Sequence, residues 1–96
     1  MQFLLVAFDG TDAEATDRRM RVREDHLKKI SVLRQRGEFK YGGAILDNDG
    51  KMIGSMIVYD FHDRQSLDAS LQHEPYFTEG VWQKIEIRPF RPAEID

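Results

Sequence analysis

The 96-residue chain contains no cysteine. That excludes a disulfide framework, a thiol nucleophile and any zinc site built on thiolates, and it fits a reducing compartment. Long apolar runs are missing as well. The opening Phe3-Leu4-Leu5-Val6-Ala7-Phe8 stops at Asp9-Gly10, far short of the roughly 20 apolar residues that cross a bilayer. It also lacks the basic lead-in of a secretory signal, so a cytoplasmic setting and no membrane partner are expected. Charge of one sign is scarce: the formal net charge is −3, with acids and bases interspersed, which argues against a nucleic-acid partner. The basic stretch Arg18-Arg19-Met20-Arg21-Val22-Arg23 is surrounded by Asp12, Glu14, Asp17, Glu24 and Asp25 and reads as mostly solvated helix surface. With 41% hydrophobic and 32% charged residues, a single domain over residues 1–96 with one core is expected.

Gln2 to Phe8 reads as a strand closed by the loop Asp9-Gly10-Thr11-Asp12. Thr11 or Asp12 is a candidate cap for the helical period that follows, which runs through Arg36 to a stop at Gly37. That span is long for a small domain, so a short turn near Arg18 to Val22 is expected to precede the main helix. Phe39 to Leu46 and Lys51 to Phe61 form a hairpin around Asp47-Asn48-Asp49-Gly50, whose Asp-Gly step favours positive φ. Gly42-Gly43 and Gly54-Ser55 interrupt those strands, either for close backbone packing or to leave room for a ligand. Asp63 caps a second helix to about Gln72, Pro75 opens a brief extra helix, and Val81 to Phe90 is the last strand. Pro89 places the end or an edge of that strand.

The order β-α-β-β-α-β is the ferredoxin-like, split βαβ arrangement of the α+β class: an antiparallel four-stranded sheet with its helices on one face. Two helices cover only one face, yet the first and third strands are apolar on both. A second layer is therefore needed, and a homodimer with sheets face to face, forming a barrel-like core that buries Met52, Met56 and Trp82, supplies it.

Within the main helix, at about 100° per residue, Val22, Leu33, His26 and Ile30 fall inside an arc of roughly 80°. A titratable imidazole therefore points inward. Arg19 and Arg23 precede it on the helix, and His73-Glu74-Pro75-Tyr76 stands just before the last strand. Taken together, Arg19-x-x-x-Arg23-x-x-His26-Leu27, Gly42-Gly43, the hairpin, His73-Glu74-Pro75-Tyr76-Phe77-x-x-Gly80-Val81 and Ile85-x-Ile87-x-Pro89-Phe90 resemble the YCII-related (YciI-like) domain proteins from Phe3 to Phe90. The resemblance implies a dimeric α+β barrel and a histidine–carboxylate active site; a few relatives eliminate hydrogen chloride from chlorinated aromatic ring products. Carried over, the histidine is His26, and Glu74 stands where the family usually has aspartate, one methylene longer.

If His26 and Glu74 meet, the carboxylate fixes the imidazole tautomer while apolar neighbours oppose its charge. The expectation is a small-molecule enzyme with His26 as general acid or base, Glu74 as its orienting partner, and Arg19 and Arg23 holding an anionic or phenolic substrate, with Ser55 and Asp9 as further pocket residues. Elimination and isomerisation both fit, without a cofactor. Each residue also has a plainer reading: His26 as a structural histidine, Glu74 as a helix cap before Pro75, the arginines paired with Asp12, Asp17 or Glu24, and Tyr76 and Trp82 as core or interface aromatics. A non-catalytic binding or assembly module is the rival class. His62 and His73 show no ligand spacing, so no metal is expected.

Overall fold

A computed structural model describes residues 1–95. The elements are β1 (Gln2–Asp9), α1 (Ala15–Gln35), β2 (Phe39–Leu46), β3 (Met52–Asp60), α2 (Arg64–Leu71), α3 (Pro75–Thr78) and β4 (Trp82–Phe90). The strands lie in the order β2-β3-β1-β4, with every pair antiparallel. This is the ferredoxin-like fold.

Alternation along β1 decides the layers. Phe3, Leu5 and Ala7 are buried and lie opposite Tyr59, Ile57 and Ser55 of β3. They join one core with Val22 and Leu33 of α1, Leu67 and Leu71 of α2, and Tyr76, Val81 and Trp82. Leu4, Val6 and Phe8 point to the opposite face, where Met56 and Val58 adjoin them and Lys84, Glu86 and Arg88 form a charged margin on β4. Pro89 sits in β4 at the sheet edge, where its missing N–H costs no ladder bond to a further strand.

The long helix corrects two expectations. It is one unbroken element of 21 residues, with no separate turn near Arg18 to Val22. Nothing between Ala15 and Gln35 is Gly or Pro, so no residue interrupts the ladder of backbone bonds. Neither Thr11 nor Asp12 caps it: Glu14 holds the N-cap position without a side-chain bond, and the Asp12 carboxylate instead grips Arg18 at 2.6 Å. The far end matches the expected stop. Glu38 N–H donates to Leu33 and Gly37 N–H to Arg34, closing a Schellman cap around Gly37 at φ 76°.

Trp82 was expected either in the core or at the face between two copies. A register shift at Phe8/Asp9 pairs Asp9 with Trp82 and carries the indole into the helix-side core, where it is 4% exposed.

Candidate active site

His26 and Glu74 reach each other through the packing of α3 on α1. Pro75 starts the four-residue α3, and Glu74, at its N-cap, accepts the Tyr76 N–H through Oε2 at 2.9 Å. The other oxygen, Oε1, lies 2.7 Å from His26 Nδ1. One carboxylate thus serves as both helix cap and histidine partner, uniting two readings that the residues alone left as alternatives. It is 2% exposed and His26 is 8% exposed, a setting in which charge-assisted hydrogen bonds are strong and an unmatched charge is costly.

The tautomer follows from this geometry. A carboxylate can only accept, so Nδ1 carries the hydrogen and neutral His26 leaves a lone pair on Nε2. No described residue bonds Nε2. The ring is further fixed by Tyr76, stacked at 3.8 Å and within 10° of parallel, and by the edge of Trp82 at 6.1 Å.

A second buried cluster adjoins the first. Arg19 Nη1 spans both carboxylate oxygens of Asp9 at 3.0 and 3.1 Å, and its Nη2 donates to Ser55 Oγ at 3.1 Å. Trp82 Nε1 donates to the same Oγ at 3.1 Å. The Arg19 guanidinium carbon also lies 4.7 Å from the centre of the Tyr76 ring, a cation–π distance. The partner of Arg19 is therefore Asp9 at the end of β1, not Asp12, Asp17 or Glu24. Burial raises the Tyr76 phenol above its ordinary pKa, with Arg19 and Arg23 opposing and Asp9 and Glu74 reinforcing. Tyr76 stays protonated at neutral pH. Tyr59 is lifted further by burial and then by the charge of Glu74, and its hydroxyl has no partner among the described residues.

A cavity of about 120 Å³ opens beside these clusters, with Arg19, Arg23, His26, Ser55 and Tyr76 among its polar walls. Leu27, Ile30, Phe39, Met52 and Ile57 supply the apolar ones. Gly42 and Gly43 line it too, but for different reasons. A Cβ on Gly42 would lie 2.5 Å from the Met56 carbonyl oxygen, so close backbone packing demands glycine there, whereas the space at Gly43 is open. A larger open groove of about 920 Å³ runs past Phe8, Thr11, Lys51 and Lys84. It contains no histidine, and its acids Asp9 and Asp12 are tied to Arg19 and Arg18. The smaller cavity is where the chemistry converges.

Five of the six candidate residues, His26, Arg19, Arg23, Ser55 and Asp9 through its pair with Arg19, gather at or beside this cavity, and Glu74 lies directly behind the imidazole. Arg23 makes no ion pair among the described residues. His62 and His73 are exposed, and no group of three or more His, Asp or Glu side chains among the described residues is placed to hold a metal ion. Sequence reasoning did not assign Tyr76 and Trp82 to the site. Tyr76 reaches His26 through the packing of α3 on α1, and the bond of Trp82 to Ser55 depends on the register shift in β4, for which alternation gives no signal. Among the described residues, no helix is long and apolar enough to cross a membrane.

Comparison with known proteins agrees with this fold. The model of the YCII-related domain matches residues 1–91. The chain is 26% identical over 94 residues to Protein YciI of Escherichia coli O6:H1, covering 92% of this chain and 96% of that protein, and equally to Protein YciI of Shigella flexneri. Among solved structures, 5-chloro-2-hydroxyhydroquinone dehydrochlorinase (TftG) of Burkholderia phenoliruptrix AC1100, in complex with 2,5-dihydroxybenzoquinone, superposes with a TM-score of 0.83 at 17% identity. That match covers 97% of this chain and 96% of the other. A conserved protein of Methanosarcina mazei Go1 superposes at 0.57 with 19% identity, covering 97% and 94%. At such identities the structural likeness speaks for the fold.

Proposed function

This chain belongs to the YCII-related domain family, and from that premise we propose that it is a small-molecule enzyme in which the His26–Glu74 pair transfers a proton. The reaction class is elimination of the dehydrochlorinase type, or isomerisation, on a small anionic or phenolic substrate. The observation that carries this reading is the division of labour on one ring: Nδ1 is held by a buried carboxylate, while Nε2 is free beside a cavity. Nε2 takes a proton from the substrate, and the electron pair left behind either expels chloride or shifts to a neighbouring atom. Glu74 stabilises the imidazolium that forms. Arg23, free of ion pairs, anchors the substrate's negative charge, and Arg19 with Asp9 holds Ser55 and Tyr76 in place.

The proposal includes a homodimer. Leu4, Val6 and Met56, with Phe8 at 40% and Tyr41 at 73% exposure, make an apolar sheet face that no described helix covers. A second copy packed sheet to sheet would cover it. Light scattering after size exclusion decides: a stable 11.2 kDa monomer at micromolar concentration overturns this part.

The catalytic test uses the substrate class of the dehydrochlorinase. The wild-type protein and His26→Asn are incubated with 5-chloro-2-hydroxyhydroquinone and chloride release is followed, alongside thermal shifts with a panel of small carboxylates, phenols and lactones. Turnover or binding lost in His26→Asn with the melting temperature kept supports the reading. A collapse of stability in the variant, with no ligand or turnover in either protein, instead makes the chain a non-catalytic module braced by its histidine.

A further inference from the structure

Ser55 carries a hydroxyl hydrogen that no described residue receives. Its Oγ accepts from Trp82 Nε1 and from Arg19 Nη2, each at 3.1 Å. A hydroxyl has two lone pairs and one hydrogen, and neither an indole nor a guanidinium nitrogen can accept. Both lone pairs are therefore occupied, and the hydrogen is left to be donated. No carbonyl or carboxylate of the described residues takes it. Ser55 is 2% exposed and lines the cavity shared with His26 and Arg23.

We infer that Ser55 is a built hydrogen-bond donor for an oxygen of the bound ligand, selecting a carboxylate, phenolate, enolate or carbonyl oxygen over any group that can only donate. The inference deepens the proposed function and rests on its reading of the cavity as the ligand site. Three features make the donor effective. Arg19 is charged, so its bond to Oγ polarises the O–H and strengthens what it donates. Asp9 fixes Arg19 from the other side, so the hydroxyl has little freedom to turn away. Burial excludes the water that would otherwise compete. When His26 Nε2 removes a proton from the carbon beside a substrate carbonyl, the C–H electron pair becomes the new C=C bond and the carbonyl electrons settle on oxygen. That oxygen is the acceptor Ser55 awaits. The cavity, at about 120 Å³, suits one six-membered ring, since apolar cavities of about 150 Å³ take benzene.

The test uses two probes of similar shape, benzoate with acceptor oxygens and toluene without them, titrated against wild-type protein and Ser55→Ala. The expected result is a selective loss: benzoate weakens by about tenfold or more in the variant while toluene binds as before. Ser55→Cys, a weak donor of similar size, serves if the alanine variant does not fold, with the same selectivity expected. Equal loss of both probes, or no loss of either, overturns the donor role and makes Ser55 a structural residue. Benzoate binding no tighter than toluene in the wild type overturns it as well. If neither probe binds the wild-type protein, the reading of the cavity as a ligand site falls first.

Discussion

Replacing Arg19 by methionine should be among the most damaging single changes in this chain. The pair it forms with Asp9 is sequestered, with side chains 4% and 5% exposed, and all three Arg19 hydrogen bonds are to Asp9 or Ser55. Methionine fills much of the volume but strands the Asp9 carboxylate without a partner, and breaking a buried pair in this way costs about 3–5 kcal/mol. Against a total stability on the order of 5–15 kcal/mol for a domain of this size, that is a large share, equivalent to a fall in melting temperature of at least about 12 °C. Removing both charges together, as Asp9→Leu with Arg19→Met, should recover most of the loss, because no buried ion remains. Urea denaturation of the four proteins, read as midpoints and slopes, gives the coupling directly. The reasoning is refuted if Arg19→Met costs under about 1 kcal/mol, or if the double variant is as unstable as the two single losses combined.

The Tyr59 hydroxyl is buried without a partner, so Tyr59→Phe should raise stability by about 1–2 kcal/mol by removing an unmet polar group; a clear loss would mean that a buried water satisfies it. Asp63 caps α2 by accepting the Ser66 N–H at 2.8 Å, and Ser66's side-chain and backbone bonds hold its carboxyl below the usual aspartate range. A lowered folded-state pKa contributes stability at neutral pH that fades as acid protonates the cap. The melting-temperature advantage of wild type over Asp63→Ala should therefore be full at pH 7 and narrow below about pH 4; a gap that widens in acid would contradict the cap. Tyr59 and Tyr76 are both raised by burial, so alkaline titration followed by ultraviolet absorbance should show them ionising only above about pH 10, and stability should decline there as the unfolded chain releases those protons first.

Much of the fold was legible because local signals agreed with one another. Gly37, the Asp47–Gly50 turn, Asp63 and Pro75 each ended or began an element where backbone chemistry required it. The break expected in α1 failed for a physical reason: length alone suggested it, while an uninterrupted run of helix-compatible residues forbade it. At the site, His26 was readable from helical phase, and Glu74 as a helix cap from its place before Pro75 and as the partner of His26 from the family resemblance. The network of Asp9, Arg19, Ser55 and Trp82 was not, since its bonded partners lie up to 36 residues apart and meet only after the sheet has registered. Which side Trp82 faces was not legible, because a one-residue shift in pairing reverses the side a strand residue faces.

The central claim is that Glu74 fixes the hydrogen of neutral His26 on Nδ1 and leaves Nε2 open to a substrate. A long-range proton–nitrogen NMR spectrum of the His26 ring, recorded where the imidazole is neutral, with and without 2,5-dihydroxybenzoquinone, tests it most directly. The account predicts a protonated Nδ1, an unprotonated Nε2, and a change in the Nε2 signal when ligand is added. A hydrogen on Nε2, or a ring whose signals ignore the ligand while other cavity residues respond, would contradict it.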